Sequence, residues 1–189
     1  EAPNATARFE NGTCKIWAPV QAPQVTRKEV SELLEIDLQD VTIHVTLLGG
    51  GFGRKSKPDF VLEAAWLAKE TGAPVQVIWS REDDIRHSYY HAISAQYLKG
   101  GLTGDGSVNA WLHRTAYPSI TSTFMPGVVH GAGFEFKQGM TNMPYEIENQ
   151  RFENGEAPAH VRIGWLRSVY NIIHGFSVNV FADELAIEA

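Results

Sequence analysis

The sequence is poor in cysteine, has no excess of basic residues and lacks a long apolar run. Cys14 is the single cysteine of 189 residues, so the chain cannot form an internal disulfide or ligate an iron–sulfur cluster or a cysteine zinc site by itself. The net charge of −6 argues against nonspecific nucleic-acid binding. No apolar run approaches the roughly 18 residues that a membrane span needs. The chain begins at Glu1 rather than Met, and we expect it to be a piece of a longer protein.

Apolar periodicity predicts mixed helices and strands, of the α+β class. The predicted strands are Cys14–Ala18, Val41–Leu48, Pro74–Trp79 and Val161–Ile163, and the predicted helices cover residues 23–36, 173–185 and a segment from Pro58 to a cap at Gly72. Residues 93–98 and 108–117 predict a hairpin around a glycine-rich turn at 100–106, followed by irregular structure at 118–160. We assign 1–80 to a crossover unit with a glycine-rich loop and 81–189 to the remainder, the two forming one continuous domain fragment.

The glycine-rich loop is the strongest local feature of the chain. Gly49, Gly50, Gly51 and Gly53 fill four of five consecutive positions directly after a predicted strand. Glycine in such a place reaches left-handed dihedrals or lets the main chain approach another group closely. Successive bare amides form a concave set of donors for anionic oxygens. The alternative is a tight turn without a ligand.

Standard nucleotide-binding motifs do not fit this loop. A phosphate loop requires glycine where Arg54 stands, although Lys55 and Ser56 supply the expected ending. A dinucleotide fingerprint requires its third glycine two residues later than Gly53 allows, with an acidic residue at the end of a second strand.

Other candidate sites have ordinary structural explanations. His87 and His91 have the spacing of a zinc pair on a helix, but no third ligand is in register. The acidic residues 82–84 favour capping or solvation of a loop over metal binding. Arg167 lies in a turn before the terminal helix and could grip an anion or pair with Asp183 or Glu184.

Four segments, in order, resemble the molybdopterin-binding large subunit of the xanthine dehydrogenase and aldehyde oxidase family, and the nearest type within it is the isoquinoline 1-oxidoreductase β-subunit. They are residues 4–7, 16–24, 49–55 and 164–171, the last continuing at 181–186. The likeness spans nearly the whole chain, and the order and spacing of the segments make it specific. It implies an incomplete molybdopterin-binding domain of a bacterial oxidoreductase.

The resemblance also implies roles for individual residues. Gln21 would hydrogen-bond an oxygen on molybdenum, Phe52 would border the substrate pocket, and Arg167 would orient substrate or stabilise charge. These three are the implied catalytic residues. The implied cofactor-binding set is Gln21, Gly50, Gly51, Phe52, Gly53, Arg54, Leu166, Arg167 and Ser168. None ligates metal directly, since molybdenum is held through the cofactor.

The implied reaction is the oxidation of aldehydes or N-heteroaromatics with water-derived oxygen. The implied cofactor is molybdopterin with molybdenum, in the cytosine dinucleotide form, with [2Fe–2S] clusters on a small partner subunit and a cytochrome as a further partner. The family's general-base glutamate has no match here, so the resemblance implies that this chain alone is inactive. It favours the bacterial periplasm or envelope and leaves the cytoplasm open. Arg54 stands where the xanthine-oxidising branch has glycine, so purine specificity is not inferred.

Two alternatives remain open from the residues. One is a phosphate- or nucleotide-binding module that uses the glycine loop with Lys55. The other is a non-catalytic scaffold of the same fold.

Overall fold

The computed structural model of the protein describes residues 2–189, which divide into two compact units. The first unit reaches to Tyr89 and the second is Tyr90–Ala189. Both combine helices with a mixed sheet, which confirms the predicted α+β class. Among the described residues no helix is long and apolar enough to cross a membrane.

The first unit is a four-stranded sheet with helices packed on one face. Its elements are β1 (Asn4–Glu10), β2 (Thr13–Ala18), α1 (Pro23–Leu34), β3 (Val41–Val45), α2 (Asp59–Thr71), β4 (Val75–Ile78) and α3 (Arg81–His87). The strand order is β3-β2-β1-β4, with β1 antiparallel to both of its neighbours and β2 parallel to β3. The parallel pair is joined through α1, as a crossover requires.

Alternation along the strands explains which sheet face is covered. Cys14, Ile16 and Ala18 of β2 are fully buried, whereas Trp17 between them is exposed on the open face. Buried residues of α2, including Phe60 and Ala64, join the same apolar core. The helix ends at Gly72, whose φ of 63° makes the predicted left-handed cap.

Two features of the first unit differ from the sequence prediction. Strand β1 was not predicted, although Asn11 and Gly12, with φ of 49° and 78°, form the tight turn that joins it to β2. Strand β3 ends at Val45 rather than Leu48, because Thr46 already leaves the sheet to bond the Ala18 carbonyl.

The second unit is a three-stranded sheet with a long C-terminal helix. Its elements are β5 (Ala95–Leu102), β6 (Val108–Ala116), the short helix α4 (Gly133–Phe136), β7 (Asn149–Gly155) and α5 (Asn171–Glu188). Strands β5 and β6 form the predicted antiparallel hairpin, and β7 runs parallel to β6. The terminal helix is confirmed. Gly100 and Gly101 belong to β5 rather than to the turn.

The segment predicted to be irregular, 118–160, is organised around a buried carboxylate. Glu135 is fully buried and accepts hydrogen bonds from the Ser119 hydroxyl, the Thr121 amide and hydroxyl, and the Ala132 amide. Strand β7 was missed in this segment. The strand predicted at Val161–Ile163 was wrong, since Ile163 makes only an isolated bridge to Tyr90.

Candidate functional site

The glycine loop holds its backbone in left-handed conformations. Gly49, Gly50 and Gly53 have φ of 68°, 148° and 89°, and Phe52 has φ of 50°. An L-residue in this region costs about 1–2 kcal/mol, so Phe52 is strained where glycine would not be. Its ring is 60% exposed, so no buried packing of that ring explains the conformation. Strain of this kind concentrates at functional sites.

Gln21 lies directly across Gly51. Its backbone amide donates to the Lys55 carbonyl at 2.8 Å and its Oε1 accepts from the Gly53 amide at 3.0 Å. A Cβ on Gly51 would stand 2.5 Å from Gln21 Oε1 and 2.6 Å from its Cδ, so only glycine permits this crossing. Within residues 2–189 the Nε2 group of Gln21 has no acceptor, and it is free to donate to a ligand.

Consecutive amides of the loop have no acceptor in the part of the chain that the structure describes. They belong to Gly50, Gly51 and Phe52, whereas the amides of Gly53 and Arg54 bond to Gln21 Oε1 and the Gly51 carbonyl. Unpaired donors beside a glycine surface fit a group that presents several electronegative atoms. A molybdenum cofactor, with oxygen and sulfur ligands, matches this donor set.

The two cations of the loop point into the protein. Lys55 is 4% exposed and its ammonium donates to the Leu48 carbonyl at 2.9 Å. Arg54 forms a fork with Asp59, with Nη–Oδ distances of 3.0 and 3.1 Å, and Nε donates to the Ser88 hydroxyl at 2.6 Å. Neither side chain is placed to grip a phosphate at the loop, which speaks against the nucleotide-binding alternative.

The predicted Arg167 loop lies in the second unit and is also strained. Ser168 and Val169 have φ of 72° and 44°, and a left-handed β-branched residue is a true outlier. Tyr170 anchors the end of the loop, donating its amide to Gln138 Oε1 at 3.0 Å and its hydroxyl to the Pro118 carbonyl at 2.5 Å.

Arg167 itself is exposed. Among residues 2–189 its guanidinium has no hydrogen bond or ion pair, including to Asp183 or Glu184. An unpaired guanidinium beside strained backbone is available to a negatively charged ligand. The flanking Leu166 amide bonds to the Gly164 carbonyl, whereas the Ser168 amide has no acceptor in the described chain.

An aromatic cluster in the same unit was not anticipated. Trp165 stacks on Phe134 at a centroid distance of 5.8 Å and meets Phe124 edge-on at 5.8 Å. Both phenylalanines are close to half exposed. The aromatic residues of segment 118–136 could have indicated it, but without periodicity nothing in the sequence placed them together.

Predicted metal and thiol chemistry is absent from the described residues. Helix α3 ends at His87, so His91 is not on its surface, and residues 2–189 contain no cluster of three or more histidine, cysteine or acidic side chains that could hold a metal ion. The acidic run instead caps α3, with Asp83 and Ser80 forming a reciprocal capping box. Burial raises the pKa of the Cys14 thiol to about 11, which keeps it protonated at neutral pH.

Comparison with known proteins places this geometry in a family. Residues 1–161 match the family described as "Molybdopterin cofactor-binding domain". The chain is 30% identical over 193 aligned positions to the second (B) component of nicotinate dehydrogenase from Pseudomonas putida, covering 98% of this chain and 16% of that protein. It is 32% identical over 117 positions to the beta subunit of isoquinoline 1-oxidoreductase from Brevundimonas diminuta, covering 61% and 15%.

The fold has the same relatives. The crystal structure of quinoline 2-oxidoreductase from Pseudomonas putida 86 superposes with a TM-score of 0.76 at 21% identity, over 100% of this chain and 24% of that one. The chain therefore spans about a sixth of the curated relatives named above. It belongs to the molybdopterin cofactor-binding domain family.

Proposed function

We propose that the chain is part of the large subunit of a molybdenum hydroxylase that oxidises aldehydes or N-heteroaromatic compounds. One observation carries the proposal: free amides at Gly50, Gly51 and Phe52 beside a Gln21 side chain that only a glycine at position 51 permits. The relatives support the substrate class, since two of them are named for nicotinate and isoquinoline.

The residues of the first unit would bind and orient the cofactor. When bound, molybdopterin with molybdenum supplies the two-electron oxidation and the site for water-derived oxygen. Gln21 Nε2 would donate to an oxygen of the group, and the three free amides would donate to its oxygen or sulfur atoms. Gly53 acts through Gln21, because its amide holds Gln21 Oε1. The exposed Phe52 ring would border the substrate and exclude water.

Arg167 would act on charge rather than on position alone. Its exposed, unpaired guanidinium can stabilise negative charge that develops on the substrate or orient an anionic substrate. Ser168 would offer its free amide beside it, and Leu166 would shape the loop.

Further components must lie outside this chain. We propose the cytosine dinucleotide form of the cofactor, [2Fe–2S] clusters on a small partner subunit, and a cytochrome as a further acceptor. A single buried cysteine cannot ligate a cluster, which supports an external relay. We also propose that the general base belongs to a segment outside these 189 residues and that the chain is inactive alone.

The whole source protein tests this function. Purified from its native host, it should contain molybdenum near one atom per large subunit, should release a cytidine nucleotide on acid treatment, and should oxidise aldehydes or N-heteroaromatics. A metal-free protein with full activity would refute the proposal.

Gln21→Ala should lower kcat/KM by about 10- to 100-fold in the full enzyme, because a hydrogen bond to the metal group is lost. Gln24→Ala is the matched control, since Gln24 is exposed on α1 and makes no such crossing. Steady-state kinetics, normalised to molybdenum content, measures both variants. Unchanged turnover in Gln21→Ala would instead favour a scaffold that has lost the chemistry.

A further inference from the structure

Arg54 follows the cofactor loop and is surrounded on every side by the first unit. Its side chain is only 11% exposed. The guanidinium carbon lies 5.4 Å from the ring centre of Trp79 and 5.0 Å from that of Tyr89. The two rings and the Asp59 fork fix both the plane and the direction of the guanidinium.

The contacts of Arg54 join three elements to the loop. Asp59 begins α2, Trp79 follows β4, and Ser88 caps the end of α3. Nη1 also reaches the Lys57 carbonyl at 3.4 Å. With Nε and both Nη groups engaged, the guanidinium has little capacity left for a ligand.

The main chain of Arg54 is equally committed. Its amide donates to the Gly51 carbonyl at 2.8 Å, closing the turn that contains Phe52. Phe52 and the neighbouring glycines would relax without restraint, because a strained backbone persists only where its surroundings over-determine it. The side chain of Arg54 supplies such a restraint at the C-terminal end of the turn. Lys55 supplies another through the Leu48 carbonyl at its N-terminal end.

We propose that Arg54 is a positioning residue: locked by Asp59 and Ser88 between Trp79 and Tyr89, it holds residues 51–53 in the conformation that meets the cofactor, without touching the cofactor. This inference rests on the proposed function for its effect on metal binding. Its effect on the loop itself does not depend on that function.

Two substitutions separate positioning from direct contact. Arg54→Lys keeps the charge but loses the fork and the flat stacking surface. Asp59→Asn leaves the arginine intact but weakens the fork from the α2 side. If Arg54 positions the loop, both variants should show the same defect. If Arg54 instead contacts the cofactor or the substrate, Asp59→Asn should have little effect, because the guanidinium remains present.

The experiment uses the full-length large subunit with its partners and has two readouts. Hydrogen exchange of the Gly53 and Arg54 amides should accelerate by about tenfold in both variants, while α2 exchange stays at the wild-type rate. Molybdenum content per large subunit should fall by about tenfold in both, and KM for substrate at the remaining loaded sites should not change. Arg8→Lys is the matched control, because Arg8 pairs with Glu10 on an exposed strand.

The outcomes decide separate questions. Wild-type exchange at Gly53 and Arg54 in either variant would overturn the inference, as would a raised KM with full molybdenum in Arg54→Lys alone. A wild-type protein without molybdenum would refute the proposed function, but the exchange rates would still decide whether Arg54 holds the loop.

Discussion

Gly51→Ala in the full-length protein should reduce molybdenum content by at least about tenfold, while the metal-free protein unfolds within about 4 °C of wild type. The added Cβ would stand 2.5 Å from Gln21 Oε1 and 2.8 Å from Leu48 Cδ2. Gln21 must then leave the Gly53 amide, and the loop loses both its side-chain donor and its open surface. Exposed Gln21 can move at small cost, so folding should suffer less than binding. Metal analysis and thermal unfolding of the metal-free protein measure the two effects.

Gly49→Ala is the control for this prediction, within the same loop. Gly49 has φ of 68°, so alanine there adds left-handed strain of about 1 kcal/mol, but its Cβ would meet no atom within 4 Å. We expect Gly49→Ala to retain its molybdenum. Equal loss of metal in the two variants would contradict a special role for the Gln21 crossing and would favour a plain turn whose flexibility alone matters.

The sequence predicted elements whose periodicity is local, and it missed those that depend on partners. Helices α1, α2 and α5 have apolar residues at helical spacing, and Gly72 marks a real end. Strand β7 has no regular alternation, because it is held by parallel pairing to β6 from far along the chain. The fully buried Glu135 has an ordinary sequence context, so only the donors that surround it in space explain its burial.

The same limit applies to the candidate site. Glycine content predicted a loop built for close approach, and the loop has that form, but the direction of Arg54 and Lys55 could not be predicted from spacing. Each cation lies beside glycines and resembles an anion-binding group in the sequence. In the structure, Asp59, Ser88 and the Leu48 carbonyl draw the two side chains inward. The strain at Phe52, Ser168 and Val169 is likewise a property of the folded backbone.

A pair of neutral histidines under α5 makes the second unit sensitive to acid. His113 on β6 and His174 on α5 are fully buried, with ring centroids 5.9 Å apart. Burial lowers the pKa of each imidazole from 6.5 to about 4, and for His113 the nearby His174 contributes further. The facing groups are Gln96, bonded to His113 Nε2, the Gln138 carbonyl, near His174 Nδ1, and the Tyr117 ring. Burial also raises the pKa of Tyr117, so this ring is uncharged at neutral pH.

The opening free energy of β6 and α5 should therefore fall between about pH 6.5 and pH 4, and should not respond to these histidines above pH 6.5. In that window the unfolded state binds protons that the native state excludes, so lowering the pH favours opening, with a slope of up to about 1.4 kcal/mol per pH unit for each histidine. His174→Gln removes one of the two proton-binding sites and should reduce the slope by about half of the pair's contribution. His160→Gln, at an exposed position, should leave it unchanged. Hydrogen exchange of β6 and α5 amides in the full-length protein, corrected for intrinsic rates, measures this slope. An identical slope in wild type and His174→Gln would mean that carboxylates elsewhere, rather than the buried imidazoles, govern the acid response.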